Sequence, residues 1–217
     1  MAEPKLVIFD WDGTLMDSAS QIVHCMQLAA DECKVPIPSD EAVRHIIGLG
    51  LPEALAILFP GESEIRHRLI RDRYAFHFVA ESGGESRLFP GARELLDDLL
   101  ARGHLLAVAT GKSRLGLDRV LKKTGLTHRF NATRCADETL SKPNPRMLRE
   151  LLHELKMTAA QSVMIGDTTY DMEMAQLIEM PRIGVSYGVH SIAQLQYYQP
   201  LAVVDSISTL AAQLSSL

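Results

Sequence analysis

Short, uninterrupted apolar runs constrain the fold of this 217-residue chain more than any other feature of its sequence. Such runs, which do not alternate with polar residues, are typical of strands that are covered on both faces, as in parallel sheets. The runs are Leu6–Phe9, Leu105–Ala109, Val163–Ile165, Ile183–Val185 and Leu201–Val204. We therefore expect five buried parallel strands.

Helical patterns separate most of these runs. Leu95, Leu96, Leu99 and Leu100 form one apolar stripe, and Gly103 follows it as a stop signal. A second pattern around Val120 and Leu121 ends at Gly125, and a third around Leu148 and Leu151 begins after Pro145. Strands that alternate with helices predict an α/β fold with a doubly wound parallel sheet.

One long stretch interrupts this alternation. From Met16 to about Arg87 we find helical patterns but no strand, and prolines and glycines separate the patterns. We expect an all-helical domain inserted after the first strand, with residues 16–87 as this domain and residues 1–15 and 88–217 as the α/β core. The two crossings, Met16–Ala19 and Gly83–Leu88, are predicted hinges.

Composition limits the classes of partner. The formal net charge is −5, which does not favour nucleic-acid binding, and no apolar run approaches the length of about 20 residues that a membrane span needs. Three cysteines without a CxxC pair, and an N-terminus without a signal-peptide pattern, lead us to expect a cytoplasmic protein. The sequence leaves the oligomeric state open.

Chemistry-bearing side chains follow the first three runs. Two carboxylates come after the first run and two more after the third, while a hydroxyl ends the second and one lysine lies in a loop. They are Asp10, Asp12, Thr110, Lys142, Asp167 and Asp171. The carboxyl ends of parallel strands meet at one edge of a sheet, where ligands bind. Oxygen ligands of this kind suit Mg²⁺ held together with a substrate phosphate.

Each of these residues also has a simpler explanation. Asp12-Gly13 is a turn signal, Thr110 is compatible with a plain strand end, and Asp171 suits an early helix position. Lys142 suits a solvated loop. Only the combination at three strand ends indicates a functional site, because a single motif is weak evidence.

At these residues the chain resembles the haloacid dehalogenase-like superfamily. The matching segments occur in the family's order: Asp10-Trp11-Asp12-Gly13-Thr14-Leu15, Thr110, Lys142 and Gly166-Asp167-x-x-x-Asp171. The helical insert lies where that family carries its C1-type cap, and the core would be its Rossmann-like domain. Three segments are similar to the phosphoglycolate phosphatase-like branch: Phe9–Ser18, the Gly48–Leu51 region and Ser141-Lys142-Pro143.

The resemblance implies a Mg²⁺-dependent phosphomonoesterase. It assigns the nucleophile to Asp10 and the general acid and base to Asp12. It places Mg²⁺ on Asp10, the backbone carbonyl of Asp12 and Asp167, with Asp171 bound to the metal directly or through water.

The resemblance also suggests substrate contacts. Thr110, Lys142 and the backbone N–H of Gly111 would bind phosphoryl oxygens, although many relatives carry asparagine where this chain has Gly111. Arg44 and His45 are candidate substrate contacts near Gly48–Leu51.

The expected substrate is a small phosphorylated metabolite such as 2-phosphoglycolate or a sugar phosphate. A β-phosphoglucomutase-like phosphotransferase, a pyrophosphatase and a receiver-like phosphate-responsive binding module remain as alternatives.

Overall fold

The computed structural model describes residues 5–80 and 87–215. Its strands are β1 (Leu6–Phe9), β2 (Met16–Asp17), β3 (Arg87–Leu88), β4 (Leu105–Thr110), β5 (Ala132–Cys135), β6 (Ser162–Gly166), β7 (Arg182–Val185) and β8 (Ala202–Val204). Its α-helices are α1 (Ala19–Glu32), α2 (Asp40–Ile46), α3 (Leu51–Leu58), α4 (Glu64–Ala80), α5 (Ala92–Ala101), α6 (Arg114–Thr124), α7 (Arg146–Leu155), α8 (Thr169–Gln176), α9 (Ile192–Gln196) and α10 (Ile207–Ser215).

Six strands form one parallel sheet in the order β5-β4-β1-β6-β7-β8. All five predicted strands are present, and β1 lies in the interior, paired with β4 on one side and β6 on the other. The residues of β1 alternate between two apolar clusters. Val7 and Phe9 belong to one cluster, while Leu6 and Ile8 belong to the other. Helices cover both faces, so the predicted doubly wound α/β fold is confirmed.

The sequence prediction missed the edge strand β5. Its two middle residues, Thr133 and Arg134, are polar and half-buried, so β5 lacks the continuous apolar run of a central strand. The guanidinium of Arg134 forms ion pairs with Glu150 and Glu154 of α7. An edge strand tolerates such residues because one of its edges is unpaired.

The expectation of no strand between Met16 and Arg87 is wrong at both ends of that stretch. Strands β2 and β3 pair antiparallel, with Met16 opposite Leu88 and Asp17 opposite Arg87. Two-residue strands are too short to produce a periodic pattern. The pair lies where the chain leaves and re-enters the core, at the predicted hinges. Residues 83–86 of the second hinge lie outside the described residues.

Helices α1–α4, which we call the helical cap, enclose an apolar cluster of their own. This cluster includes Val23, Met26, Val43, Leu55 and Ile70, and all five side chains are buried. Helix α2 begins at Ser39, whose hydroxyl accepts a hydrogen bond from the N–H of Ala42. The helical character predicted here is confirmed, whereas the domain boundaries at 15/16 and 87/88 stay predictions.

No helix within residues 5–80 and 87–215 combines the length and the apolar character needed to cross a bilayer.

We predict that Leu96→Ala lowers the free energy of unfolding by about 2–5 kcal/mol, because Leu96 is fully buried in the cluster between α5 and the sheet. Leu177→Ala is the matched control, since that side chain is 55% exposed, and its effect is expected within about 0.5 kcal/mol. Urea unfolding measures both. Equal losses would contradict the assignment of this core.

Candidate active site

Three neighbouring strands bring the predicted site residues together. Asp10 follows β1, Thr110 ends β4 and Asp167 follows β6, and these strands lie side by side in the sheet. The N–H of Asp10 donates to the carbonyl of Ile165 at 2.9 Å, which extends the strand pairing to the first site residue. The carboxylates of Asp10, Asp12, Asp167 and Asp171 are all buried. Such a group of buried charges requires cations or protons to balance it.

Lys142 supplies one buried cation. Its ammonium donates to Oδ1 of Asp10 and to Oδ1 of Asp171, at 2.7 Å in each case. Burial alone would lower the pKa of Lys142, but the negative charges of Asp10 and Asp171 outweigh burial and raise that pKa above its usual value. Lys142 therefore remains charged and links the first and last acidic motifs.

One positive charge does not satisfy the acidic group. Burial raises the pKa of Asp10 to about 7, against the opposing attraction of Lys142. Burial also raises the pKa of Asp167, and the charges of Asp10 and Asp171 add to this effect. The Oδ2 atom of Asp10 is buried and has no hydrogen-bond partner among the described residues.

These three carboxylates fit a divalent cation. One oxygen from each of Asp10, Asp167 and Asp171 lies within 4.8 Å of the others, and a hard cation prefers oxygen ligands of this kind. A cation here would offset the unfavourable charge repulsion and give Oδ2 of Asp10 a partner.

Neighbouring residues fix the orientation of the two later carboxylates. Asp167 accepts hydrogen bonds from the hydroxyl of Thr14 at 3.0 Å and from the N–H of Val189 at 2.9 Å. Oδ2 of Asp171 accepts from both the N–H and the hydroxyl of Thr168, an arrangement that caps α8. Asp171 therefore has two roles: one of its oxygens binds the ammonium of Lys142, and the other caps the start of α8.

Asp12 lies apart from the three clustered carboxylates and has its own partners. Ser18 donates its hydroxyl to Oδ1 at 2.6 Å, and the ammonium of Lys112 lies 2.9 Å from Oδ1 and 2.8 Å from Oδ2. Gly13, which follows Asp12, has a φ of +84°. A Cβ at Gly13 would lie 2.2 Å from a carboxylate oxygen of Asp167. Only glycine permits this turn.

Lys112 and Ser18 belong to the site, although the sequence alone did not predict this. Lys112 follows Thr110 by two residues, and this proximity was the one indication in the sequence, but a lysine just before a helix is usually solvated. Its ammonium also lies 4.7 Å from the ring centroid of Phe78 in α4. Lys112 thus connects the catalytic strand ends to the helical cap.

A loop of the helical cap, Gly48–Gly50, lies very close to the backbone of Gly111. A Cβ at this position would lie 2.4 Å from the carbonyl oxygen of Leu49 and 2.6 Å from that of Gly48. The same loop donates the N–H of Gly50 to the hydroxyl of Ser141 at 2.7 Å. An asparagine in place of Gly111 would be incompatible with this approach.

The two predicted cap contacts, Arg44 and His45, lie at the edge of this loop. Arg44 lies near the hydroxyl of Ser20, at 3.4 Å, and the imidazole of His45 stacks on that of His190 with ring centroids 5.4 Å apart. Neither residue lines the cavity described next. Their role in substrate binding stays a prediction.

A cavity of about 520 Å³ lies between the helical cap and the carboxyl end of the sheet. Asp10, Asp12, Thr110, Gly111 and Lys112 line its core side. Thr110 is buried, and its hydroxyl accepts the N–H of Lys112 at 3.2 Å. The structure therefore brings the carboxylate of Asp10, the carboxylate of Asp12 with its cation, and the hydroxyl of Thr110 to one open cavity.

Comparison with known proteins agrees with this arrangement. Residues 7–185 match the family profile described as haloacid dehalogenase-like hydrolase. The chain is 36% identical to a protein named "Probable phosphatase IndB" from Dickeya dadantii, covering 94% of this chain and 90% of that protein. It is 32% identical to the phosphoglycolate phosphatase of Agrobacterium fabrum, covering 96% and 91%.

A solved structure shows the same fold over the full length. The crystal structure of a predicted phosphatase from Clostridium acetobutylicum superposes with a TM-score of 0.88 at 26% identity and covers 100% of both chains. The profile match spans most of the sequence and includes every acidic motif described above. The chain therefore belongs to the haloacid dehalogenase-like hydrolases, on their phosphoglycolate phosphatase-like branch.

Proposed function

We propose that this enzyme is a Mg²⁺-dependent phosphomonoesterase that forms a phosphorylated aspartate at Asp10. The observation that carries the proposal is the position of Asp10. The buried ammonium of Lys142 binds one oxygen of this carboxylate, the other oxygen has no hydrogen-bond partner within residues 5–80 and 87–215, and Asp10 borders the cavity beside Asp12. A carboxylate prepared in this way suits nucleophilic attack on phosphorus.

In the first half-reaction, an oxygen of Asp10 bonds to phosphorus while the bond from phosphorus to the alcohol oxygen breaks. Asp12 donates a proton to that leaving oxygen, so the alcohol departs neutral. The hydroxyl of Thr110, the N–H of Gly111 and the ammonium of Lys142 would bind phosphoryl oxygens and stabilise their charge.

In the second half-reaction, water attacks the phosphorus of the aspartyl phosphate. Asp12 accepts a proton from this water, the bond between Asp10 and phosphorus breaks, and inorganic phosphate leaves. Both half-reactions use the same carboxyl group of Asp12 in opposite directions. The hydrogen bonds from Ser18 and Lys112 hold that group in one orientation for both.

The residues that would hold Mg²⁺ are Asp10, the backbone carbonyl of Asp12 and Asp167, with Asp171 contributing directly or through water. The ion would supply positive charge to neutralise the carboxylates and the phosphoryl group. The raised pKa values of Asp10 and Asp167 support the need for such charge.

The substrate would be a small phosphorylated metabolite, and 2-phosphoglycolate and sugar phosphates are candidates from the names of relatives and from the resemblance. Alternatives within the fold are a phosphotransferase and a pyrophosphatase. We also propose a cytoplasmic location, because the sequence has an odd number of cysteines, three, without a CxxC pair, which does not favour a disulfide framework.

We predict that Asp10→Asn lowers the rate of phosphate release from p-nitrophenyl phosphate by about 10⁴-fold or more, the scale found when a nucleophile is removed. The substitution removes the attacking oxygen and keeps the volume of the side chain. Asp72→Asn, at an exposed carboxylate of the helical cap, is the matched control and should retain full activity. A purified, folded Asp10→Asn enzyme with substantial turnover would refute the covalent route.

Metal dependence is tested on the same protein. Chelation with EDTA should abolish turnover, and added Mg²⁺ should restore it. Mg²⁺ should also raise the Tm of the wild-type protein, and this shift should disappear in Asp167→Asn. An unchanged shift in that variant would exclude Asp167 as a ligand.

Lys112→Met should lower kcat by up to about 10²-fold, because Asp12 loses the partner that contacts both of its oxygens. Lys112→Arg should recover part of the loss. The decisive measurement is the double mutant with Asp12→Asn, in which Lys112→Met should cause no further decrease in kcat. An equal decrease in both backgrounds would mean that Lys112 acts independently of Asp12.

Gly111→Asn should displace the loop of the helical cap around Gly48–Gly50, since the new side chain would overlap two carbonyl oxygens. We expect faster amide hydrogen exchange in that loop and a fall in kcat/KM of about tenfold or more. Gly103→Asn is the control, because a Cβ there meets open space, so that any effect of this variant comes from backbone strain at its φ of +84° and not from a displaced loop. Wild-type exchange rates in Gly111→Asn would show that the loop does not close on this residue.

A further inference from the structure

The cavity beside Asp10 is large for the leaving group of a small metabolite. Its volume of about 520 Å³ falls within the range of about 300–1,000 Å³ typical of sites that enclose ligands of drug size. It extends from Asp10 and Asp12 into the helical cap, so the alcohol part of a phosphate monoester would occupy it. The polarity of the side chains that line the cavity therefore indicates the polarity of that alcohol.

The part of the wall that the helical cap contributes is largely apolar. The apolar and aromatic side chains come from α1, α3 and α4 and are Ile22, Met26, Leu51, Ala54, Tyr74 and Phe78. Four charged side chains that are exposed or half-buried also line the cavity, from the helical cap and around α6, and Arg71 among them is paired with Asp72; they are Glu53, Arg71, Arg119 and Asp137. A small polar alcohol would lose water along Ile22, Met26 and Leu51 without gaining hydrogen bonds from these side chains, which is unfavourable.

Lys112 is a cation beside the proposed acid Asp12, but its ammonium is already bound to the carboxylate of Asp12. Its ammonium contacts both oxygens of Asp12 and lies over the ring of Phe78. A carboxylate on a short leaving group, as in 2-phosphoglycolate, would have to compete with Asp12 for this ammonium. Gly111 offers no side chain to bind it instead.

Leu115 provides a second, independent observation. This side chain lines the cavity from the core side, is 72% exposed, and belongs to none of the three apolar clusters formed by the described residues. It lies in the first turn of α6, where Ser113 caps the helix by accepting the N–H of Gly116. An apolar side chain that packs into no core, at the edge of the active-site cavity, is available to contact a bound ligand.

We propose that the substrate is a phosphate monoester whose alcohol carries an apolar body the size of a ring, and that this body binds between the helical cap and Leu115. The inference rests on the phosphomonoesterase function proposed above and specifies its substrate class. The phosphoryl group lies against Asp10 and Thr110, and the alcohol oxygen faces Asp12. The apolar body replaces water along the cavity wall.

The test compares alkyl esters of similar intrinsic reactivity. Phosphate release from 2-phenylethyl phosphate, ethyl phosphate and 2-phosphoglycolate is measured with the full-length enzyme and Mg²⁺. We expect kcat/KM for 2-phenylethyl phosphate to exceed that for each of the other two by about tenfold or more, because the phenyl ring is buried. Equal or better hydrolysis of either small ester overturns the substrate proposal alone. Hydrolysis of p-nitrophenyl phosphate but of none of the three overturns the substrate proposal alone, and hydrolysis of none of the four overturns the phosphomonoesterase function with it.

A matched pair of variants locates the effect. Leu115→Gln should lower the ratio of kcat/KM for 2-phenylethyl phosphate to that for ethyl phosphate by about fivefold, mainly through KM. Leu177→Gln changes an exposed leucine that does not line the cavity and should leave the ratio unchanged. An unchanged ratio in Leu115→Gln, or an equal change in Leu177→Gln, would overturn the assignment of Leu115 to substrate binding.

Discussion

The ion pairs of Lys142 with Asp10 and Asp171 are the interaction on which the rest of the site depends. The buried carboxylates need positive charge beside them, since burial and repulsion from neighbouring carboxylates both raise the pKa of Asp10 and of Asp167. The ammonium of Lys142 binds one oxygen of Asp10, while the other oxygen has no hydrogen-bond partner in the part of the chain that the structure describes. This division explains how a single carboxylate is both fixed in position and available for reaction.

Sheet topology brings these charges together. Because β4, β1 and β6 are neighbours and parallel, residues far apart in sequence reach the same edge at the same level. This part of the structure was predictable, since apolar runs of three to five residues identify five of the six strands of this sheet, and the polar residues after three of these runs identify the candidate site. Asp10, Asp12, Thr110, Lys142, Asp167 and Asp171 all lie at the predicted edge.

The features that the sequence did not reveal are those without a repeating pattern. Strand β5 has polar residues in its middle, and β2 and β3 have only two residues each. In the sequence, nothing distinguishes Lys112 from a solvated lysine, whereas in the structure its ammonium contacts Asp12 and lies over the ring of Phe78. From the sequence, Gly111 suggested only the loss of a side-chain contact with the substrate. In the structure, the absence of a Cβ at Gly111 leaves space for the carbonyl oxygens of Gly48 and Leu49. Each of these depends on tertiary contacts, which local periodicity does not encode.

Gly111 and the cavity wall have a common physical basis. A side chain at position 111 would occupy space near the phosphoryl site and would hold the helical cap away from the sheet. Its absence lets the backbone of the Gly48–Leu49 loop approach the strand end, and this brings the apolar side chains of the cap over Asp10 and Asp12. Under the proposed function, recognition of the leaving group would rest on apolar contacts with the cap and not on a polar side chain at the strand end. Glycine at position 111 removes a hydrogen-bonding group at the same place where it permits the approach of an apolar wall, and both effects would favour an apolar alcohol.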